Sequence, residues 1–168
     1  MTLVERVGHD EVWGRDLFVM SIPKSEDLPR ELSVSTARFV CFIAWDAQAA
    51  GTEQISAVAR RLLDAGAVYV CAWGPDCERV HDIIDEQHVG LVPKSMVRSV
   101  VMTTWHDDES LEETLGFVLT AAIPDEAYAE ECGSTLGISI GSSQWAAEIR
   151  RAFSRPREFV AQWTAESG

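Results

Sequence analysis

An α/β fold, three layers deep with a mostly parallel sheet and helices on both faces, follows from three features of the sequence. Short runs that are apolar on both faces, the mark of covered parallel strands, alternate with stretches of helical periodicity. The strand-then-helix unit recurs four times from Phe39 onward. Glycine and proline punctuate the units where helices end. With 168 residues, 46% hydrophobic and 24% charged, the chain can bury a core without a metal or disulfide staple.

Each element has its own reason. Leu17–Ile22 (LFVMSI) predicts a strand stopped by Pro23, and Lys24 to Ser35, broken by Pro29, a connecting loop. Phe39–Trp45 (FVCFIAW) reads as a central parallel strand. The helix expected over Thr52–Ala65 gathers Ile55, Val58, Ala59, Leu62 and Leu63 on one face, and Gly66 closes it. Ala67–Trp73 (AVYVCAW) is a second buried strand. Gly74-Pro75-Asp76 reads as the opening of the next helix, with proline in its first turn, turning Val80, Ile83 and Ile84 inward and ending near Gly90. Ser99–Trp105 (SVVMTTW) makes a third strand, and Ser110 with Glu113 forms a capping box for a helix carrying Leu111, Leu115, Val118, Leu119 and Ala122. A short helical piece spans Glu126 to Cys132. Leu136–Ile140 alternates in character and reads as a short edge strand. A helix from Ser143 to Phe153 presents Trp145, Ile149 and Phe153 before Pro156 interrupts it.

Residues 1–12 and 157–168 read as loose ends of a single domain. Right-handed crossovers leave few topologies. The expected order is flavodoxin-like or Rossmann-like, 2-1-3-4 for the repeating strands counted from Phe39–Trp45, with Leu17–Ile22 added at an edge.

Composition narrows the function. There are 27 acidic residues against 14 Lys plus Arg, a net charge of −13, and a field of that sign repels phosphate backbones, so nucleic acid is not an expected partner. The longest apolar runs, Phe39–Trp45 and Ala67–Trp73, are far short of the ~20 residues a membrane span needs. No secretory pattern opens the chain, so a cytoplasmic location is expected. The four cysteines form no C-x-x-C pair, which argues against a disulfide framework or a cysteine-rich zinc site, and no metal ligand set is expected. Arg150, Arg151, Arg155 and Arg157 form the one basic cluster, read as cations complementing a helix C-terminus, with a docking handle for an acidic partner as the alternative.

The candidate site lies at the carboxyl ends of the strands. Three consecutive strands end in tryptophan followed by acid: Trp45-Asp46, Trp73-Gly74-Pro75-Asp76 and Trp105-His106-Asp107-Asp108. In open parallel sheets ligands bind at that rim, where the strand order reverses. The expected order puts the crevice between the first and third repeating strands, flanked by Asp46, His106 and Asp107. Indole faces suit a base, a sugar or a partner's side chain. Carboxylates accept bonds from ribose hydroxyls or hold Mg²⁺, and His106 can serve as acid or base near neutrality. The plainer reading makes the aspartates helix caps and the tryptophans core closing over the sheet edge.

Cys77 is expected in the first turn of its helix, where the dipole lowers a thiol pKa, with His81 one turn on, a pairing suited to nucleophilic catalysis. The phosphatase-like Cys-x5-Arg spacing is absent, since position 83 is Ile83. Gly137 to Ser143 (GISIGSS) runs from a strand into a helix whose N–H groups suit an anion, but matches neither G-x-G-x-x-G nor the P-loop. A receiver domain would need a lysine at a strand end, and the lysines are Lys24 and Lys94. The segments W-G-P-D-C-x3-H-D (Trp73 to Asp82) and T-T-W-H (Thr103 to His106) together resemble a little-studied bacterial family of unknown function. That resemblance implies a bacterial origin and transfers no residue role.

The leading expectation is a regulatory binding domain without a resident cofactor, recognising a small ligand, nucleotide-like in one version, or a partner protein at this rim. The alternatives are a hydrolase or transferase of phosphorylated or nucleoside-like substrates using Asp46, Asp107 and His106, with Mg²⁺ as its cofactor, and an acidic immunity or inhibitor protein.

Overall fold

The computed structural model describes residues 3–91 and 99–168. It contains one six-stranded sheet in the order β1-β2-β6-β3-β4-β5: β1 (Glu5–Asp10), β2 (Arg15–Ile22), β3 (Arg38–Trp45), β4 (Ala67–Trp73), β5 (Met102–Trp105) and β6 (Cys132–Ile140). All neighbours run parallel except β1, which pairs antiparallel with β2. The helices are α1 (Thr52–Ala65), α2 (Cys77–Leu91), α3 (Leu111–Thr120), α4 (Ser143–Ser154) and α5 (Pro156–Ser167). α1 and α2 cover one face of the sheet; α3, α4 and α5 cover the other. The result is the three-layer α/β architecture that the alternating pattern predicts. No helix among the described residues is long and apolar enough to cross a membrane.

Local chemistry explains the elements that match expectation. α1 buries Ile55, Val58, Ala59 and Leu62 against β3 and β4, each large side chain contributing roughly 1.5–3 kcal/mol. Gly66 closes it with a left-handed turn. At α3 the box is reciprocal: Glu113 N–H donates to Ser110 Oγ at 3.1 Å, and Ser110 N–H to Glu113 Oε2 at 2.7 Å.

Four expectations are corrected. The repeating strands, counted from β3, lie in the order 4-1-2-3 rather than 2-1-3-4. β6 is no edge: it is nine residues long and lies between β2 and β3. Its alternation is of large against small, Leu136, Ile138 and Ile140 on one side and Thr135, Gly137 and Ser139 on the other, and both sides are buried. β2 is likewise internal, because the first residues, read as loose, fold back as β1 and take the edge. The other end, from Pro156, forms α5 instead of a loose tail.

The remaining differences are local. The third repeating strand, expected from Ser99, is confined to Met102–Trp105 and forms the opposite edge. Pro75 precedes α2 instead of opening it; Gly74 at φ 116° and Asp76 at φ 66° make a tight turn ahead of Cys77. The piece before β6 is one short 3₁₀ turn, Glu126–Tyr128. Lys94 lies outside the described residues.

Two glycines make opposite demands. A Cβ on Gly74 would stand 2.4 Å from the Trp45 carbonyl oxygen, a backbone atom, in a φ that side chains rarely adopt. A Cβ on Gly137 would meet only side chains, Ile149 Cγ2 at 2.5 Å and Phe153 Cε2 at 3.0 Å. Gly74→Ala should therefore cost about 3 kcal/mol or more and Gly137→Ala about 1–2 kcal/mol, measured by urea unfolding. Equal losses would contradict this ranking.

Candidate functional site

Adjacent strands β3 and β6 send their chains to opposite faces, β3 into α1 and β6 into α4. That divergence is the switch point of the sheet, and a cleft opens there. It has a volume of about 740 Å³ and is walled by the segments leaving three strands: Pro23–Glu26 after β2, Trp45 to Ala50 with Gln54 after β3, and Ile140 to Ser142 with Trp145 after β6.

Hydrogen bonds tie these segments together. Gly141 N–H donates to the Ile22 carbonyl at 2.8 Å, and Ala47 N–H to the Pro75 carbonyl at 3.0 Å. Arg79 Nη2 donates to the carbonyls of Ala47 and Ala50 at 2.7 and 2.8 Å, while its Nε holds Asp76 Oδ2 at 2.7 Å. Asp76 thus braces the β3–α1 loop from outside the cleft. Gln54 links two walls, accepting from Gly51 N–H at 2.8 Å and donating to Glu26 Oε1 at 2.5 Å. The Gln54 amide holds the Glu26 carboxyl below its usual range.

The predicted residues divide into separate groups. Trp45 and Asp46 line the cleft; Trp45 is 6% exposed and largely core, whereas Asp46 is exposed and accepts from Gln48 N–H at 3.1 Å. Trp73 supports the cleft from behind, its ring edge-on to that of Trp145 at 5.0 Å and its Nε1 donating to the Glu109 carbonyl at 2.9 Å. Trp105 ends β5 and His106 and Asp107 follow it, beyond β4, and none of them forms the cleft wall. The crevice expected between the first and third repeating strands does not exist because β4 fills that place.

At the β5 edge Trp105 is 42% exposed, and its ring packs at a tilt against that of His81, centroids 4.5 Å apart. His106 is 5% exposed, packs on Phe117 at 4.7 Å and shares a hydrogen bond with Thr104 Oγ1 through Nε2 at 2.9 Å. Its Nδ1 lies 3.1 Å from Glu109 Oε1 but off the line of a hydrogen bond, leaving that buried nitrogen unsatisfied. Asp107 is exposed beside it.

Among the described residues Cys77 and His81 make no hydrogen bond to each other. Burial pushes the Cys77 thiol up, against the lowering expected from the helix dipole and despite the His106 backbone N–H beside it. His81 turns to Asp82, with Nδ1 2.9 Å from Oδ1, and to Trp105. Among the described residues no group of three or more His, Cys, Asp or Glu is placed to hold a metal ion.

Sequence reasoning overlooked the β2 side of the cleft, Pro23–Glu26, and the wall residues Gln48, Gln54 and Trp145. The Gly137–Ser143 segment was a weak signal, and part of it lies in the cleft wall. Its carboxyl end supplies Gly141 and Ser142, with Ser142 Oγ accepting from Trp145 N–H at 3.1 Å to start α4.

All four cysteines are free and buried. Desolvation raises the Cys71 thiol to about 12 and pushes Cys41 and Cys132 up as well. Since the thiolate is the reactive form, native protein should give no rapid reaction with Ellman's reagent, and all four thiols should react only after unfolding. Fast labelling of Cys77 in the native state would restore it as a nucleophile.

No curated protein matches the chain. A family model matches residues 17–156, a span that holds every wall of the cleft, and the chain belongs to that family, a domain of unknown function, DUF7684.

Proposed function

We propose that this protein is a binding domain that seats a small ligand in the cleft between β3 and β6. The observation that carries the reading is the coincidence of the cleft with the switch point, walled by three strand ends and held by cross-loop hydrogen bonds. A volume near 740 Å³ is within the ordinary range for small-molecule sites.

The wall chemistry suits a nucleotide-like ligand. Trp145 offers an apolar surface for a base, and Asp46 and the Gln48 amide offer partners for sugar hydroxyls. Lys24 and the positive end of α4, whose N-cap Ser142 lies in the cleft wall, suit a phosphate. In this reading the ligand's occupancy is the signal, and the domain's role is regulatory. The alternative of an enzyme built on Asp46, Asp107 and His106 is less well supported, because the cleft takes Asp46 and leaves the other two across β4.

A thermal-shift series with nucleosides and nucleoside monophosphates tests this. A ligand at 100 times its dissociation constant adds about 2.7 kcal/mol, which for a chain of this size raises the midpoint by about 5–10 °C. The shift should disappear in Asp46→Asn or Trp145→Ala and survive in His106→Ala. A shift that persists in both cleft variants would sink the assignment. A flat series would transfer support to a basic partner protein at Trp105, which stands exposed near Asp82 and Asp107.

A further inference from the structure

The opposite rim of the sheet holds a second cavity, of about 570 Å³. Three distant parts of the chain build it: the end of β1 and the turn after it (residues 9–12), the last turn of α3 (Leu119, Thr120), and the α4–α5 joint with the first turns of α5 (residues 154–158 and Val160). It shares no residue with the cleft, and it takes residues from both sides of the span matched by the family.

The cavity is polarised. At one side stands Asp10, a carboxylate only 6% exposed. Its Oδ1 accepts from Val12 N–H at 2.9 Å; among the described residues Oδ2 has no hydrogen-bond partner and no cation lies within 4 Å. Oδ2 is nonetheless not a sealed atom, so the little surface that Asp10 keeps belongs to the cavity it lines. α3 also ends here, at Thr120, bringing the negative end of its dipole.

The other side carries Arg155 and Arg157, with Glu158 exposed and paired to Arg155 at 3.4 Å. α5 starts in the cavity wall with Pro156, and Arg155 before it provides no side-chain cap. The N–H groups of Arg157 and Glu158, in the first turn, therefore lack the usual capping acceptor, and Arg157 itself lines the wall. Between the two poles Val12, Leu119, Pro156 and Val160 supply apolar surface.

We propose that this cavity binds a small zwitterion with an apolar body, of the class of an apolar amino acid or a dipeptide. Its ammonium pairs with Asp10 at the end of α3, and its carboxylate meets the first turn of α5 and Arg157. Asp10 explains why a single anion or a single cation would not fit as well: an anion would face its free oxygen, and a cation would face Arg157 and the positive end of α5. Arg15, opposite Asp10 in the β1–β2 pair, is near enough to feel the carboxylate's charge but makes no ion pair with it within 4 Å, and the zwitterion's ammonium adds a direct partner at Oδ2.

Calorimetric titration of the whole protein with leucine and leucyl-leucine, each beside its N-acetyl and its C-amide form, tests the proposal. At least one of the two zwitterions should bind, and each blocked form should bind about tenfold or more weakly than its parent. Asp10→Asn keeps the acceptor for Val12 N–H, so it should fold; it should weaken the zwitterion by about tenfold and erase its advantage over the N-acetyl form. Arg157→Ala should erase much of the advantage over the C-amide. Failure of both zwitterions to bind at about 10 mM would overturn the proposal. Blocked forms that bind as well as their parents would do so too, a comparison that holds even if a variant misfolds.

Discussion

The structure depends on how closely α4 lies on β6. Gly137 leaves no room there for a Cβ, with Ile149 and Phe153 pressed onto the bare backbone, and Thr135 and Ser139 extend the same low floor along the strand. The opposite side of β6 carries Leu136, Ile138 and Ile140 into the core under α1 and α2. A strand thin on one side and thick on the other can be buried on both, and that places β6 between β2 and β3. Once it is there, β3 and β6 lie side by side while their following helices depart to opposite faces. The cleft is the geometric consequence.

That cleft is formed by loops but is held together like a piece of scaffold. Arg79 spans the loops after β3 and β4, Gln54 joins the loops after β2 and β3, and Gly141 is strapped to the end of β2. Loops fixed before binding lose less freedom when a ligand arrives. The cleft keeps the acidic balance of a chain of net charge −13, with Lys24 and Glu26 on one wall and Asp46 on another, and the start of α4 brings the positive end of a helix dipole to it.

Much of this was legible from residue patterns. The stripe of α1, the box at Ser110 and the doubly apolar runs of β3 and β4 are local signals, and local physics decides them. Strand order was not legible, because pairing β6 with β3 is a contact between residues about a hundred apart that no periodicity encodes. β6 misled in a specific way: Thr, Gly and Ser alternating with Leu and Ile look like a solvated edge, whereas here they are the low surface under a helix. The tryptophan-and-acid recurrence was real at the level of strand ends. Its three members share a rim but not a crevice, since β4 separates Trp45 from Trp105. At Cys77 the dipole that lowers a thiol pKa acts against desolvation, and burial prevails.

The most direct test of the cleft is its own indole. The six tryptophans are spread over the molecule, so their side-chain N–H resonances report location as well as occupancy. Titration of ¹⁵N-labelled protein with AMP or GMP should move the Trp145 indole first, with Trp73 following through their edge-on contact, while Trp13 and Trp105 stay in place. Perturbation centred on Trp105, or unchanged spectra at millimolar nucleotide, would contradict a nucleotide seat between β3 and β6.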